Sequence, residues 1–400
     1  MSIIVQKYGG SSVTDLDKIK KIATIIAQVK KQGHDVVVVV SAMGKTTNSL
    51  IDMANSISSN PPKREMDMLL STGERITMSL LCVALSELGV EAISLTGSQA
   101  GIITNDRHSD ARVIEVRPFR VQDEIAKGKI VVVGGFQGVS YNKDITTLGR
   151  GGSDTSAVAL AAALNAERCE IYSDVDGVYT TDPAFIKEAK HLPEISYQQM
   201  QEMSMAGAKV LNSQAVQFAK EANIAIYARS TFEPGKETII RKLVPGTVKG
   251  IKAVVYENDV VRIVLFNAEK NFNLLMKLLD DKQLKIKELN MVESTDEKIQ
   301  SKISFINSYK LVIGWEKISN ELKDLFKNDI KMEFNFGAVS LIGEGVNEEN
   351  YLLNDSVKLL NKNNIKIYGI TTTSFRISLL VEKELLEQTV KLLHEKWIEN

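Results

Sequence analysis

Five consecutive valines, Val36 to Val40, constrain this chain more than any other stretch. A continuous β-branched run fits a strand covered on both faces, the kind found in parallel sheets packed between helices. Ile3-Ile4-Val5, Ala92-Ile93-Ser94-Leu95, Ile130-Val131-Val132-Val133, Cys169-Glu170-Ile171-Tyr172 and Ile224-Ala225-Ile226-Tyr227 repeat the theme. Through residue 240 the order is strand, loop, helix, with the polar and glycine-rich residues placed after the strands. That order predicts an α/β layered fold with a ligand at the carboxyl ends of parallel strands.

The loops carry the chemistry. Ile3–Val5 runs into Lys7-Tyr8-Gly9-Gly10-Ser11-Ser12, with a helix predicted from about Thr14. Strand, glycine-rich turn and helix make a phosphate site, and Lys7 would add an ammonium over the same anion. Thr146 to Asp154 (Thr-Thr-Leu-Gly-Arg-Gly-Gly-Ser-Asp) reads as an anion-handling loop. Its glycines admit a ligand to the main chain, and Ser153 or Asp154 is expected to cap the helix that follows. Arg150 offers a planar fork for a carboxylate or phosphate. Two familiar motifs are excluded. A Walker A ending in Gly44-Lys45-Thr46 would need glycine where Val39 stands, and a dinucleotide fingerprint from Gly149 would need glycine at Asp154.

Other candidates follow in order. Glu74 is a carboxylate at a predicted loop–helix boundary and fits an amine, or simply a solvated helix start. His108, in a polar loop, is given no role. Ser173 to Pro183 reads as a loop whose small polar groups and Tyr179 fit a nucleotide pocket, although Asp174 and Asp176 are equally good turn residues. Lys209 is expected at a helix start, where a nearby anion would rationalise a cation.

Four hundred residues predict two or three domains, and 44% apolar with 25% charged residues predicts sizeable cores. A net charge of −1 argues against a nucleic-acid surface. No apolar stretch reads as a membrane span, the N-terminus lacks the layout of a signal peptide, and two distant cysteines fit a cytoplasmic chain. After Val244-Pro245-Gly246-Thr247 glycine becomes sparser while lysine and asparagine become common. Two successive β-α-β-β-α patterns then predict a pair of small open sheets with helices on one face.

Together these stretches resemble the aspartate kinases, within the amino-acid kinase family, over nearly the whole chain. The carrying motifs are Lys7–Ser12, Ser41-Ala42-Met43-Gly44, Ser71-Thr72-Gly73-Glu74-Arg75, Gly135-Phe136-Gln137-Gly138, Thr147–Asp154, Ser173–Pro183 and Gly207-Ala208-Lys209-Val210-Leu211. The C-terminal pair resembles tandem ACT domains, most specifically at Val339-Ser340-Leu341-Ile342-Gly343-Glu344-Gly345. The resemblance implies a three-layer αβα kinase domain with a mostly parallel sheet at 1–245. Two α+β ferredoxin-like ACT domains are expected at 255–335 and 336–400, with the strand near 250–256 joining the last.

It also implies transfer of the ATP γ-phosphoryl group to the side-chain carboxylate of L-aspartate, with Mg²⁺ carried by the nucleotide and no metal held by protein ligands alone. Lys7, Tyr8, Gly9, Gly10 and Ser11 are expected at the phosphates, with Asp154 orienting Lys7. Ser41, Thr47, Glu74, Phe136, Arg150, Gly151, Gly152 and Ser153 are expected around aspartate. Ser173, Asp174, Tyr179, Asp182, Lys209 and Val210 are expected on the nucleotide side. Further implications are a lysine or threonine effector, a homodimer or dimer of dimers, and no nucleic-acid or membrane partner. The chain departs from the family's pattern at Asn212-Ser213, where many relatives have His-Pro, and at Lys287-Glu288-Leu289-Asn290. Rival readings are a related kinase acting on glutamate, acetylglutamate or a nucleotide, and a catalytically silent amino-acid sensor.

Overall fold

All five valines are fully buried, in the strand Asp35–Val40. The computed structural model describes the chain except for Met1, Arg150, Pro234, 244–249, Gln283, Lys285, 293–299, Ile313, Glu349 and Asn400. It divides into two units: Met1–Tyr179 with His191–Met205 and Lys209–Thr247, and Thr180–Lys190 with Ala206–Ala208 and Val248–Asn400.

In the first unit, an eight-stranded sheet runs Glu194–Ser196, Glu237–Arg241, Ile226–Ser230, Arg168–Ser173, Ile3–Tyr8, Asp35–Val40, Ile130–Gly134, Ala92–Leu95. Neighbours are parallel except Ile226–Ser230 against Glu237–Arg241. Strand residues alternate between faces. Val36, Val38, Val40, Ile130 and Val132 share one core with Ile19, Ile22, Ala23 and Ile26 of the helix Leu16–Lys31 and with Met78, Leu81 and Leu85 of the helix Thr72–Glu87. The other face meets the helix Gly152–Ala163, which packs in turn on Ser213–Ala222. Gly152 to Ala161 are all buried, which the run of small side chains permits. These are the three expected layers.

Several boundaries differ from expectation. The first helix starts at Leu16, with the Asp15 carboxylate accepting from the Lys18 amide at 2.9 Å. Beyond Ile226–Ser230, Glu237–Arg241 adds an antiparallel strand to the large sheet. A separate four-stranded sheet, ordered Val113–Val116, Ile102–Thr104, Gln137–Ser140, Ile145–Thr147, had too little alternation to be read from sequence. Helices Lys63–Leu70 and Thr72–Glu87 adjoin, and together are long and apolar enough to cross a membrane by length and composition, contrary to expectation. That apolarity goes into the sheet core at Leu81 and Leu85.

In the second unit, the two repeats share one six-stranded antiparallel sheet instead of forming separate ones: Lys287–Val292, Lys302–Asn307, Gly250–Phe266, Ile330–Glu344, Arg376–Glu382, Gly369–Thr373. The strands of 17 and 15 residues at its centre serve both repeats. Gly250–Glu257 pairs with Ala338–Glu344, and Val260–Leu265 pairs with Ile330–Phe336, across a register shift. Each half keeps its own core. One gathers Leu275, Leu279, Phe305 and Leu322, the other Val339, Leu341, Leu360 and Val390.

Candidate active site

The parallel register places Lys7 beside Val39 and Ile171, within two residues of where three neighbouring strands give way to loops. Lys7 is 9% exposed and its Nζ lies 2.7 Å from Asp154 Oδ1, itself in a residue 7% exposed. An ion pair this dry is held by geometry, since desolvation consumes much of its Coulomb gain. Asp154 can reach Lys7 because the helix starts earlier than expected. The N-cap is Gly151, at φ +72°, so Ser153 and Asp154 fall inside the first turn and their side chains are free of capping duty. A Cβ on Gly151 would also meet Asn212 Nδ2 at 2.6 Å.

Ser153 Oγ accepts from the Ser41 hydroxyl at 3.0 Å. Ser41 follows the valine strand and donates its N–H to Tyr8 O. One residue on, the Ala42 amide donates to Glu74 Oε1 at 3.0 Å. Glu74 is 2% exposed, and its Oε2 is buried without a hydrogen-bond partner among the described residues. Burial pushes its carboxyl up to about 7, against the pull of the Ala42 and Glu74 amides. Such an atom asks for a donor. Above these groups passes Gly135, whose Cβ, if it had one, would lie 2.9 Å from Ser153 Oγ. Phe136 then adopts φ +65°, a conformation that is costly for a non-glycine residue. Its N–H donates to Ser156 Oγ, and its ring crowds Gly152.

On the far side of Lys7, Ser11 Oγ donates to Asp174 Oδ1 at 3.3 Å, and Ser12 shares a 2.6 Å hydrogen bond with Thr231. Ser173 Oγ accepts from the Val175 amide, so this loop is folded on itself. Lys7, Ser11, Ser41, Glu74, Phe136, Gly151, Gly152, Ser153, Asp154, Ser173 and Asp174 are therefore tied together by short contacts or adjoining backbone. Thr47 lies half-buried in the first turn of the helix Thr46–Ile57, past the Gly44 turn that hydrogen-bonds Gly10 O.

Some of the other expected residues have different surroundings. Tyr8 is fully buried, stacked on Tyr172 at 4.8 Å, so its ring does not line a pocket. The Gly9 amide is already used by Tyr172 O. Lys209 is not at a helix start. It is exposed, with the half-buried Val210, in the loop between helices Tyr197–Met205 and Ser213–Ala222. Tyr179 gives its hydroxyl to Asp176 at 2.9 Å. Asp182 belongs to the second unit, where it accepts from the Ala184 amide and the Tyr256 hydroxyl. Arg150 lies outside the described residues.

Behind the site is a network that sequence reading missed. Glu170 is buried and accepts from Gln6, Arg168, Tyr172 and Arg229. Burial raises its carboxyl, but Arg229, Gln6 and Arg168 overcome that and leave it below the usual range. The available signal was a glutamine and a glutamate breaking two otherwise apolar strands. Among the described residues no three His, Cys, Asp or Glu side chains gather as a metal cage. Magnesium bound mainly through phosphate oxygens and water needs none.

The amino acid kinase family model matches residues 2–230. The aspartokinase of Bacillus sp. (strain MGA3) is 42% identical over 400 residues, covering 99% of this chain and 97% of that protein. The crystal structure of E. coli aspartokinase III in complex with aspartate and ADP (R-state) superposes with a TM-score of 0.82 at 23% identity, covering 98% of this chain and 99% of that one. The same enzyme with lysine and aspartate (T-state) gives 0.74 at 23% identity, covering 99% of each chain. At that identity the two structures speak for the fold, while the sequence relative speaks for kinship. The chain belongs to the amino acid kinase family, among the aspartokinases.

Proposed function

We propose that this chain transfers the γ-phosphoryl group of ATP to the side-chain carboxylate of L-aspartate, giving 4-phospho-L-aspartate. This is the first committed step toward lysine, threonine and methionine. The observation that carries the reading is the dry Lys7–Asp154 pair joined through Ser153 and Ser41 to the buried carboxylate of Glu74. An ionised carboxylate is already a nucleophile, so no general base is required. The task is to hold two anions in line and neutralise charge on the transferring oxygens.

Lys7, with Gly10 and Ser11, faces the phosphates, and Asp154 keeps the Lys7 ammonium aimed. Glu74 Oε2 takes the substrate ammonium, while Arg150, Ser41 and Ser153 read its carboxylates and Phe136 with Gly151 and Gly152 walls the pocket. Thr47 lies on the aspartate side, and Ser173, Asp174, Tyr179, Lys209 and Val210 on the nucleotide side. Magnesium arrives on the nucleotide and withdraws charge from the β- and γ-phosphates. The kinase domain spans 1–245, an end that falls among residues outside the description. ACT domains at 255–335 and 336–400 follow, the latter joined by 250–256, in keeping with the pairing of Gly250–Glu257 with Ala338–Glu344.

The effector is an end-product amino acid, lysine ahead of threonine, as E. coli aspartokinase III binds lysine in its T-state. The chain works in the cytoplasm as a homodimer or dimer of dimers. Purified chain given ATP, Mg²⁺, L-aspartate and hydroxylamine is expected to yield aspartyl hydroxamate, and to lose rate when lysine is added. L-glutamate in place of aspartate is expected to give little product. A folded chain that makes no hydroxamate refutes the assignment.

A further inference from the structure

Asp67 is a buried ionisable group that this mechanism leaves unused. It sits in the helix Lys63–Leu70 at zero exposure. Thr147 Oγ1 donates to its Oδ1 at 2.6 Å, and the Ser109 amide reaches both oxygens at 3.1 and 3.2 Å. His108 Nδ1 lies within hydrogen-bond distance of Oδ2, at 2.7 Å. Burying a carboxylate is costly unless several donors meet it, and burial does raise this carboxyl against its hydrogen bonds. A plain tie between helix and sheet could be made with apolar contacts at no such cost.

The placement of its partners explains the carboxylate. Thr147 ends the strand Ile145–Thr147, just before Leu148 and Gly149, and its carbonyl accepts from the Ala111 amide at 2.9 Å. Leu148 donates its own N–H to Phe136 O. The 108–111 loop lies directly against this stretch: a Cβ on Gly149 would meet Asp110 Oδ1 at 2.7 Å. The helix bearing Asp67 runs through Ser71 into the helix bearing Glu74, and Ser71 O accepts from Gln137 beside Phe136. Asp67 thus joins the turn on the carboxylate-reading side to the helices on the ammonium-reading side.

We propose that Asp67 is a positioning residue for acceptor recognition, locking the Thr147–Gly149 turn to the helices that carry Glu74 and so setting the spacing between the two poles of the aspartate pocket. This rests on the function proposed above. The test compares the parent chain with Thr147→Val, Thr147→Ser and Asp67→Asn, measuring kcat, both KM values and thermal melting. Thr147→Val removes the hydroxyl without changing shape and leaves Asp67 its other donors, so it is the variant expected to fold. The expected result is a rise of about tenfold in KM for aspartate, the scale of one lost charge-assisted hydrogen bond. KM for ATP and kcat should stay within about twofold, Thr147→Ser should restore the parent value, and Asp67→Asn should show the same split. An unchanged KM for aspartate in Thr147→Val, an equal rise in both KM values, or a fall in melting temperature alone overturns the role. If the parent itself does not turn over aspartate, the functional reading falls and takes this one with it. Parental turnover with an unmoved Thr147→Val sinks the positioning role only.

Discussion

Lys7→Ala is expected to lower kcat by about two orders of magnitude or more, the scale seen when one preorganised charge is taken from a dry site. The reason is local. Lys7 is fixed by the strand register and by Asp154 at 2.7 Å, so its charge is in place before the reaction begins. Nothing need reorganise as negative charge shifts toward the leaving oxygen. Removing it also strands Asp154, whose residue is 7% exposed, so stability must be followed separately. Asp154→Asn is the useful companion. It relieves the stranded charge yet leaves Lys7 unaimed, and a smaller kcat loss with little change in melting is expected. Single-turnover rates with saturating ATP decide the matter: turnover within a few-fold of the parent in Lys7→Ala removes Lys7 from the chemistry.

The second large effect is expected at Glu74. Glu74→Gln keeps the side chain's shape and removes the charge meant for the substrate ammonium, so KM for aspartate should rise by about a hundredfold. The parent should also show a pH signature. With its carboxyl pushed up to about 7 by burial, free Glu74 is increasingly protonated as pH falls below that value. Only the ionised form pairs with an ammonium. KM for aspartate should therefore climb about tenfold per unit below pH 7, level off above it, and lose this dependence in Glu74→Gln. Stability moves in a related way. Between pH 4.5 and about 7 the folded free chain keeps a proton that an unfolded glutamate has released, so this group's contribution falls as pH rises through that window. A parent KM that is flat from pH 6 to 8 would contradict the assignment.

Much of this was legible beforehand because the signals were local. Val36–Val40 announced a doubly covered strand, and the loops after Tyr8, Val40 and Thr147 lie around one centre as the strand–loop–helix order implied. What stayed hidden depends on tertiary partners. Nothing near Asp67 in sequence says that Thr147, eighty residues on, will hydrogen-bond it. Tyr8 stands beside Lys7 in a motif that suggests a ligand contact, but strand alternation turns its ring away from the Lys7 side, onto Tyr172. The cap of the helix Gly152–Ala163 was misplaced for a related reason. Propensity favoured Ser153 or Asp154, while the left-handed Gly151 ended the turn sooner and released both for the site.

The central strands of the second unit have one more implication. Because Gly250–Phe266 and Ile330–Glu344 each run through both repeats, every repeat borrows part of its ladder from a strand that the other also uses. Each half is therefore tied to its sibling through two continuous strands, with a register shift where the halves meet. The side chains reinforce this link, since Val260, Ile306, Phe336, Ala338 and Leu380 form one buried cluster drawn from strands of both repeats.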